Sequence, residues 1–361
     1  MRQLLIYAFL LTSSTAFAQN AIEKIIDNEY KVGHFNGSIL VIKDGKVVSK
    51  INKGYANLQF SVPITNKTRI PIASMTKTFT AILTLQMYEK SLLKLEDKIT
   101  KYVSDLPPDC QNVTILDLLT HHSGLKNEPI QAYTSRYTTA EYIKKYAVRK
   151  DSVKAASFNY NNVDYIVLTR ILEKVSQKPF AVLLKENILN PLNMDDTEVI
   201  SESKIISNLA YGYHNYTFGS GSKQDTLYND PLVYLSNYAG AGAVYSTTDD
   251  LYKLALALKT NKLLAAKTTS TFLIKPQKDK YIDYARGYPT IGFYYNDRTF
   301  SKPALERRGS INGFNSLLLI DETFNNVVII LANTDTGDLE QIGDKIYKEV
   351  ELLRPTIPLA H

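Results

Sequence analysis

One cysteine, Cys110, in a chain of 361 residues rules out an internal disulfide, so the folded state has to be held by a packed core. Of five histidines only His121 and His122 are neighbours, and none belongs to a His-Glu-x-x-His helix, so no metal site is expected. The Gly-x-Ser-x-Gly elbow is missing, which argues against a Ser-His-Asp hydrolase. Gly240-Ala241-Gly242 lacks the strand-to-helix spacing of a phosphate loop and predicts close backbone packing instead, and no cofactor is expected. Lysines are scattered without a basic stripe, so the formal charge of +6 reads as solvated faces rather than a nucleic-acid surface. Beyond the N-terminus no run is long and apolar enough to cross a membrane, and Val327 to Ala332 fits a buried strand. There is no internal repeat and no low-complexity tract.

The chain opens with Met1-Arg2, an apolar stretch from Leu4 to Leu11, and Ala16-Phe17-Ala18 before Gln19. That order predicts a cleaved secretory signal over 1–18 and an exported protein, periplasmic or secreted, with no lipoprotein anchor because no cysteine stands near the cleavage point. A short amphipathic helix follows, carrying Ile22, Ile25, Ile26 and Tyr30. Gly37 to Lys43, Asp44-Gly45 and Lys46 to Lys50 then read as a hairpin. From Ser74 to about Asn190 the pattern is helical, with a capping box at Thr138-Thr139-Ala140-Glu141 and helices over 162–175 and 179–188. Ser246-Thr247-Thr248-Asp249 starts another helix. Strand patterns return at Ile291 to Tyr295, Asn315 to Ile320 and Val327 to Ala332, before a last helix from about Asp338 to Leu353 that Pro355 stops. Strands at both ends with helices between predict an α/β (α+β) molecule. Its sheet lobe would come from 19–73 and 232–361 and an inserted helical lobe from 74–231, with the site at their junction.

Ser74-Met75-Thr76-Lys77 places a hydroxyl and an amine three residues apart at a helix start. Such residues are neighbours, and free N–H groups with a positive dipole favour an oxyanion beside the serine. The pattern predicts acyl transfer through an acyl-enzyme. The same spacing recurs at Ser91/Lys94, Ser123/Lys126, Ser201/Lys204 and Ser220/Lys223, but only Ser74 precedes a core-facing stripe, Phe79, Ile82, Leu83 and Met87. Tyr160-Asn161-Asn162, just before a helix, offers a phenol to relay the serine proton, and an amide that could hold both Lys77 and a substrate. On their own these two fit equally well as a half-buried aromatic and a helix cap. Arg307-Arg308-Gly309-Ser310 precedes the strand at Asn315, where glycine lets a substrate backbone lie against an edge strand.

Taken in order, Ser-x-x-Lys, Tyr-x-Asn and a basic-x-Gly segment resemble the motifs of the serine beta-lactamase and penicillin-binding-protein superfamily. The likeness is closest to its class C beta-lactamase-like, D-alanyl-D-alanine carboxypeptidase-like branch. It extends to Phe35 to Val41, Gly54 to Asn57, Leu118 to Leu125, Asn190 to Met194 and Gly240 to Leu251, nearly the whole chain after the leader. The resemblance implies a beta-lactamase/transpeptidase-like fold, with an antiparallel sheet flanked by helices. It implies Ser74 as nucleophile, Lys77 as base or proton relay and Tyr160 as activator of the deacylating water. Asn162 would bind substrate, and the N–H groups of Ser74 and Ser310 would form the oxyanion hole. The family's usual Lys-Thr-Gly or His-x-Gly is here Arg307-Arg308-Gly309, and a permanently charged arginine can anchor an anionic substrate but cannot shuttle a proton. The expectation is an exported serine hydrolase acting on an amide or ester next to a carboxylate: a beta-lactam, a D-Ala peptide of peptidoglycan type or a small ester. The rival is a penicillin-binding-type protein that binds without turnover.

Overall fold

The computed structural model describes residues 19–104, 106–107, 110–149, 157–215, 227–276, 281–283 and 286–352. The secretory pattern at 1–18, the Ser220/Lys223 pair and the end of the last helix at Leu353 lie outside them. A seven-stranded antiparallel sheet organises the fold. Its strands are β1 (Gly37–Lys43), β2 (Lys46–Lys53), β3 (Tyr288–Pro289), β4 (Tyr294–Asn296), β5 (Ala304–Ile311), β6 (Phe314–Asp321) and β7 (Val327–Ala332), in the spatial order β3-β4-β5-β6-β7-β1-β2. The hairpin expected at Asp44-Gly45 forms, with both residues at positive φ, 50° and 74°, as a two-residue turn between right-twisted strands requires.

Strand side chains alternate between two cores. Ile39, Val41, Leu317, Leu319, Val328 and Ile330 face a layer made by a helix over 19–31 and the C-terminal helix Leu339–Leu352. Leu40, Ile42, Leu318, Ile320, Ile329 and Leu331 face the larger core. A sheet covered on both sides has no wet face, which is why Val327 to Ala332 is apolar throughout instead of alternating.

The larger core is crossed by the helix Thr76–Glu89. The sequence predicts an apolar stripe on it, whereas every residue from Thr76 to Met87 is buried. Its hydroxyls make this tolerable by bonding backbone carbonyls: Thr78 Oγ1 donates to Gly292 O at 2.9 Å and Thr80 Oγ1 to Gly240 O at 2.7 Å. Gly240 is where the expected close packing occurs, since a Cβ there would land on the hydroxyls of Thr80 and Thr169. The capping box forms at Thr138 and Glu141, and Thr247 caps the helix Thr248–Lys259. The strand expected from Ile291 begins only at Tyr294, because Gly292 turns the chain at φ 92°.

Candidate active site

Ser74 sits in a single 3-10 turn, Ala73–Met75, that runs directly into the helix Thr76–Glu89. Ala73 before it is held at φ 48°, a conformation a residue with a Cβ adopts only when its surroundings over-determine it. Those surroundings are tight. Gly309 of β5 lies so close that a Cβ on it would come 2.8 Å from Ser74 N and 2.6 Å from Ser316 Oγ, with Ile72 O nearer still. β4 pairs only with Ala304 to Glu306, so from Arg307 onward β5 pairs with β6 on one edge, and the turn carrying Ser74 packs near its other side.

The side chains singled out in the sequence come together here. Lys77 Nζ is 3.1 Å from Ser74 Oγ, and the Tyr160 hydroxyl donates to Ser74 Oγ at 2.8 Å. Lys77 also donates to Asn162 Oδ1 at 2.7 Å and to Ala241 O at 2.8 Å. Asn162 occupies the N-cap position of the helix Val163–Ser176, yet its side chain makes no cap bond. The amide is spent on function-bearing neighbours instead: its Nδ2 donates to Glu128 Oε1 at 2.9 Å. Ser74, Tyr160, Asn162, Arg307, Gly309 and Ser310 all line one cleft of about 560 Å³, and Lys77 lies buried at its floor.

Burial drives the Lys77 amine below the ordinary lysine range, and the Arg307 charge pushes the same way, while Tyr160 opposes both. For Tyr160 burial pushes up, but the Lys77 and Arg307 charges together with hydrogen bonding to Ser74 and Lys77 bring the phenol below its ordinary value. Both groups are thus shifted toward giving up a proton more readily than in water, and both contact the hydroxyl through which a proton would pass. A hydroxyl flanked in this way, next to a backbone N–H at a helix start, can attack a carbonyl and have the resulting oxyanion stabilised.

Arg307 is placed differently from its neighbour. Its Nε donates to Ser74 O at 3.0 Å, and its guanidinium stacks 5.6 Å from the centre of the Tyr294 ring. Arg308 lies on the opposite face of β5, where it pairs with Glu306 and Glu340; Arg308 and Glu340 also line the cleft.

Sequence reasoning missed a supporting layer. Glu128, whose carboxyl burial pushes up, orients Asn162. His121 sets its ring 4.5 Å from that of Tyr160, with Nδ1 3.0 Å from Asp164 Oδ2. The buried Asp164 carboxyl also receives Ser123 Oγ and, at 2.9 Å, Asn161 Nδ2. Burial pushes Asp164 well above the usual carboxylate range and, with the Lys77 and Arg307 charges, His121 well below that of imidazole. No spacing links Glu128 to the motifs, and although Asp164 stands two residues after Asn162, only its burial among Ser123, His121 and Asn161 reveals its part. Among the described residues no group of three or more potential ligands could hold a metal ion, and no helix is long and apolar enough to cross a membrane.

Residues 22–351 match the beta-lactamase family. Over 330 residues the chain is 28% identical to a teichoic acid D-alanine hydrolase of Staphylococcus aureus (strain NCTC 8325 / PS 47), covering 91% of this chain and 77% of that protein. The crystal structure of D-amino acid amidase from Ochrobactrum anthropi SV3 complexed with D-phenylalanine matches with a TM-score of 0.81 at 24% identity, covering 93% of this chain and 99% of that one. A penicillin binding protein from Bacillus halodurans matches with a TM-score of 0.74 at 21% identity, covering 92% and 100%. These two likenesses are of fold.

Proposed function

Because the chain belongs to the beta-lactamase family of serine hydrolases, we propose that Ser74 is its acylating nucleophile and that it hydrolyses an amide or ester bond through a covalent acyl-enzyme. The observation that carries this is the position of Ser74 Oγ, held between Lys77 Nζ at 3.1 Å and the Tyr160 hydroxyl at 2.8 Å on the wall of the cleft.

The serine proton passes to the Lys77–Tyr160 pair as Oγ bonds to the acyl carbon, and the carbonyl oxygen takes the negative charge beside the N–H groups of Ser74 and Ser310. Collapse of that intermediate expels the alcohol or amine with a proton returned from the pair. Tyr160 then accepts a proton from the water that attacks the ester, and Ser74 Oγ leaves protonated. Asn162 holds Lys77 in place and, with its remaining amide hydrogen, faces the acyl group. A sheet lobe of 19–73 and 232–361 and a helical lobe of 74–231 meet at this cleft.

The substrates proposed are acyl derivatives of D-configured amino acids, with D-alanyl esters, D-Ala peptides and beta-lactams as the classes to compare. A relative named for D-alanine hydrolysis supports the first two. The leader pattern at 1–18 supports action outside the cytoplasm. The test is hydrolysis of a D-alanyl ester by purified protein and its Ser74→Ala variant, with mass spectrometry of the protein after exposure to a penicillin. Turnover lost in the variant, with an adduct on Ser74 in the parent, is the expected result. Activity surviving Ser74→Ala would overturn it.

A further inference from the structure

Beneath the cleft lies a second, small cavity of about 10 Å³, room for a single water molecule, whose wall includes His121, Thr120, Thr290 and Arg307. Two polar atoms of these residues are buried without a hydrogen-bond partner among the described residues: Nε2 of His121 and Nη2 of Arg307. A guanidinium nitrogen can only donate, and leaving it unmatched in the interior is costly. The same side chain is only 3% exposed, and its Nε is already committed to the carbonyl of Ser74. Arg308 is committed as well, to Glu306 and Glu340.

We propose that Arg307 is a positioning residue and not the anchor of a substrate carboxylate. One water molecule in the small cavity joins its Nη2 to Nε2 of His121 and locks the guanidinium against the Ser74 backbone, so that the cleft serves acyl substrates whose leaving group carries no carboxylate. Water fits where an anion does not, because it both donates and accepts. It satisfies Nε2 whichever nitrogen of His121 carries the proton, whereas an anion needs Nε2–H. His121 in turn is fixed by Asp164, which Ser123 and Asn161 hold. The chain of contacts therefore runs from Asp164 through His121 and the water to Arg307, and ends on the nucleophile's own carbonyl. The substrate part of this inference rests on the hydrolysis proposed above, whereas the water does not.

Two measurements on the purified protein test it. High-resolution crystallography should show one water within about 3.2 Å of both Nη2 and Nε2; a dry cavity or a chloride there overturns the proposal, whatever the protein hydrolyses. Kinetics should compare an acyl-D-alanyl-D-alanine with the same compound carrying a C-terminal amide, for the parent and for Arg307→Gln. The expected result is that the parent turns over the amide-capped compound at least as well. The variant should lose kcat on both by a similar factor, about tenfold or more, with KM little changed. A parent that prefers the free carboxylate, or a variant that raises KM tenfold for that compound alone, assigns Arg307 to the carboxylate and overturns the proposal. Absence of turnover on either compound counts against the hydrolysis and leaves the crystallographic outcome to decide the water.

Discussion

Lys77 and Asn162, 85 residues apart, meet at 2.7 Å, and that bond settles which way the Asn162 amide faces: oxygen to the amine, nitrogen to Glu128. A helix cap would have turned the side chain back to its own backbone. Here the helix Val163–Ser176 forgoes a cap bond worth about 1 kcal/mol, and the carboxamide is free to span from the cleft floor to Glu128.

Glu128 should therefore matter to the reaction without touching the nucleophile. Glu128→Ala removes the acceptor that orients Asn162 and is expected to lower kcat about ten- to a hundredfold, whereas Glu128→Gln keeps an acceptor oxygen and should lose much less. Steady-state kinetics with circular dichroism to verify folding make the comparison. Equal activity in both variants and the parent would exclude the orienting role.

The pH dependence follows from the amine. Lys77 is lowered first by burial and then by Arg307, against the opposing influence of Tyr160 and Glu128. It accepts the serine proton only when neutral, so the rate should rise with pH through the lowered value and level off below the range in which a solvated lysine titrates. Lys77→Arg, charged throughout, should lose about a hundredfold or more with no recovery at high pH. A pre-steady-state acylation profile in buffers of constant ionic strength measures both.

Two glycines should be intolerant of a methyl group for different reasons. Gly309→Ala drives a Cβ toward Ser74 N and Ile72 O, both backbone, so the strand or the nucleophile's turn must move. A destabilisation of about 1–3 kcal/mol is expected together with near loss of acylation. Gly240→Ala meets side chains alone, the hydroxyls of Thr80 and Thr169 first and the Phe180 ring at 3.2 Å, and should be partly rescued by Thr169→Ala, a coupling that thermal denaturation of the double mutant reads directly.

The hairpin at Asp44-Gly45, the capping box at Thr138 and the apolar run of β7 were legible because each is dictated by neighbours in sequence. So was the meeting of Ser74 with Lys77, which one helical turn guarantees. Tyr160 and Asn162 gave equal support to a local packing reading, and only tertiary contact decides between the two. The orientation of Arg307 was beyond reach. Two adjacent arginines on a strand point to opposite faces, but which one faces Ser74 depends on a register set by β6, with Arg307 opposite Leu318 and Arg308 opposite Leu317. The all-round burial of Thr76 to Met87 was also hidden, since its threonines look polar until Gly240 and Gly292 supply carbonyls for Thr80 and Thr78.

β1 lies between β2 and β7, paired from Gly37 opposite Ala332 to Ile42 opposite Val327, and Asn36 contacts Asn333 across 297 positions. The interior of the sheet thus joins its earliest strand to its latest. A nascent polypeptide has β1 and β2 as a lone hairpin, with the β7-facing edge of β1 open until Val327 to Ala332 has been made, and hairpins alone are marginal in water. Closure of the sheet is accordingly deferred until its last strand is present, so a chain truncated before Val327 leaves that edge of β1 unpaired.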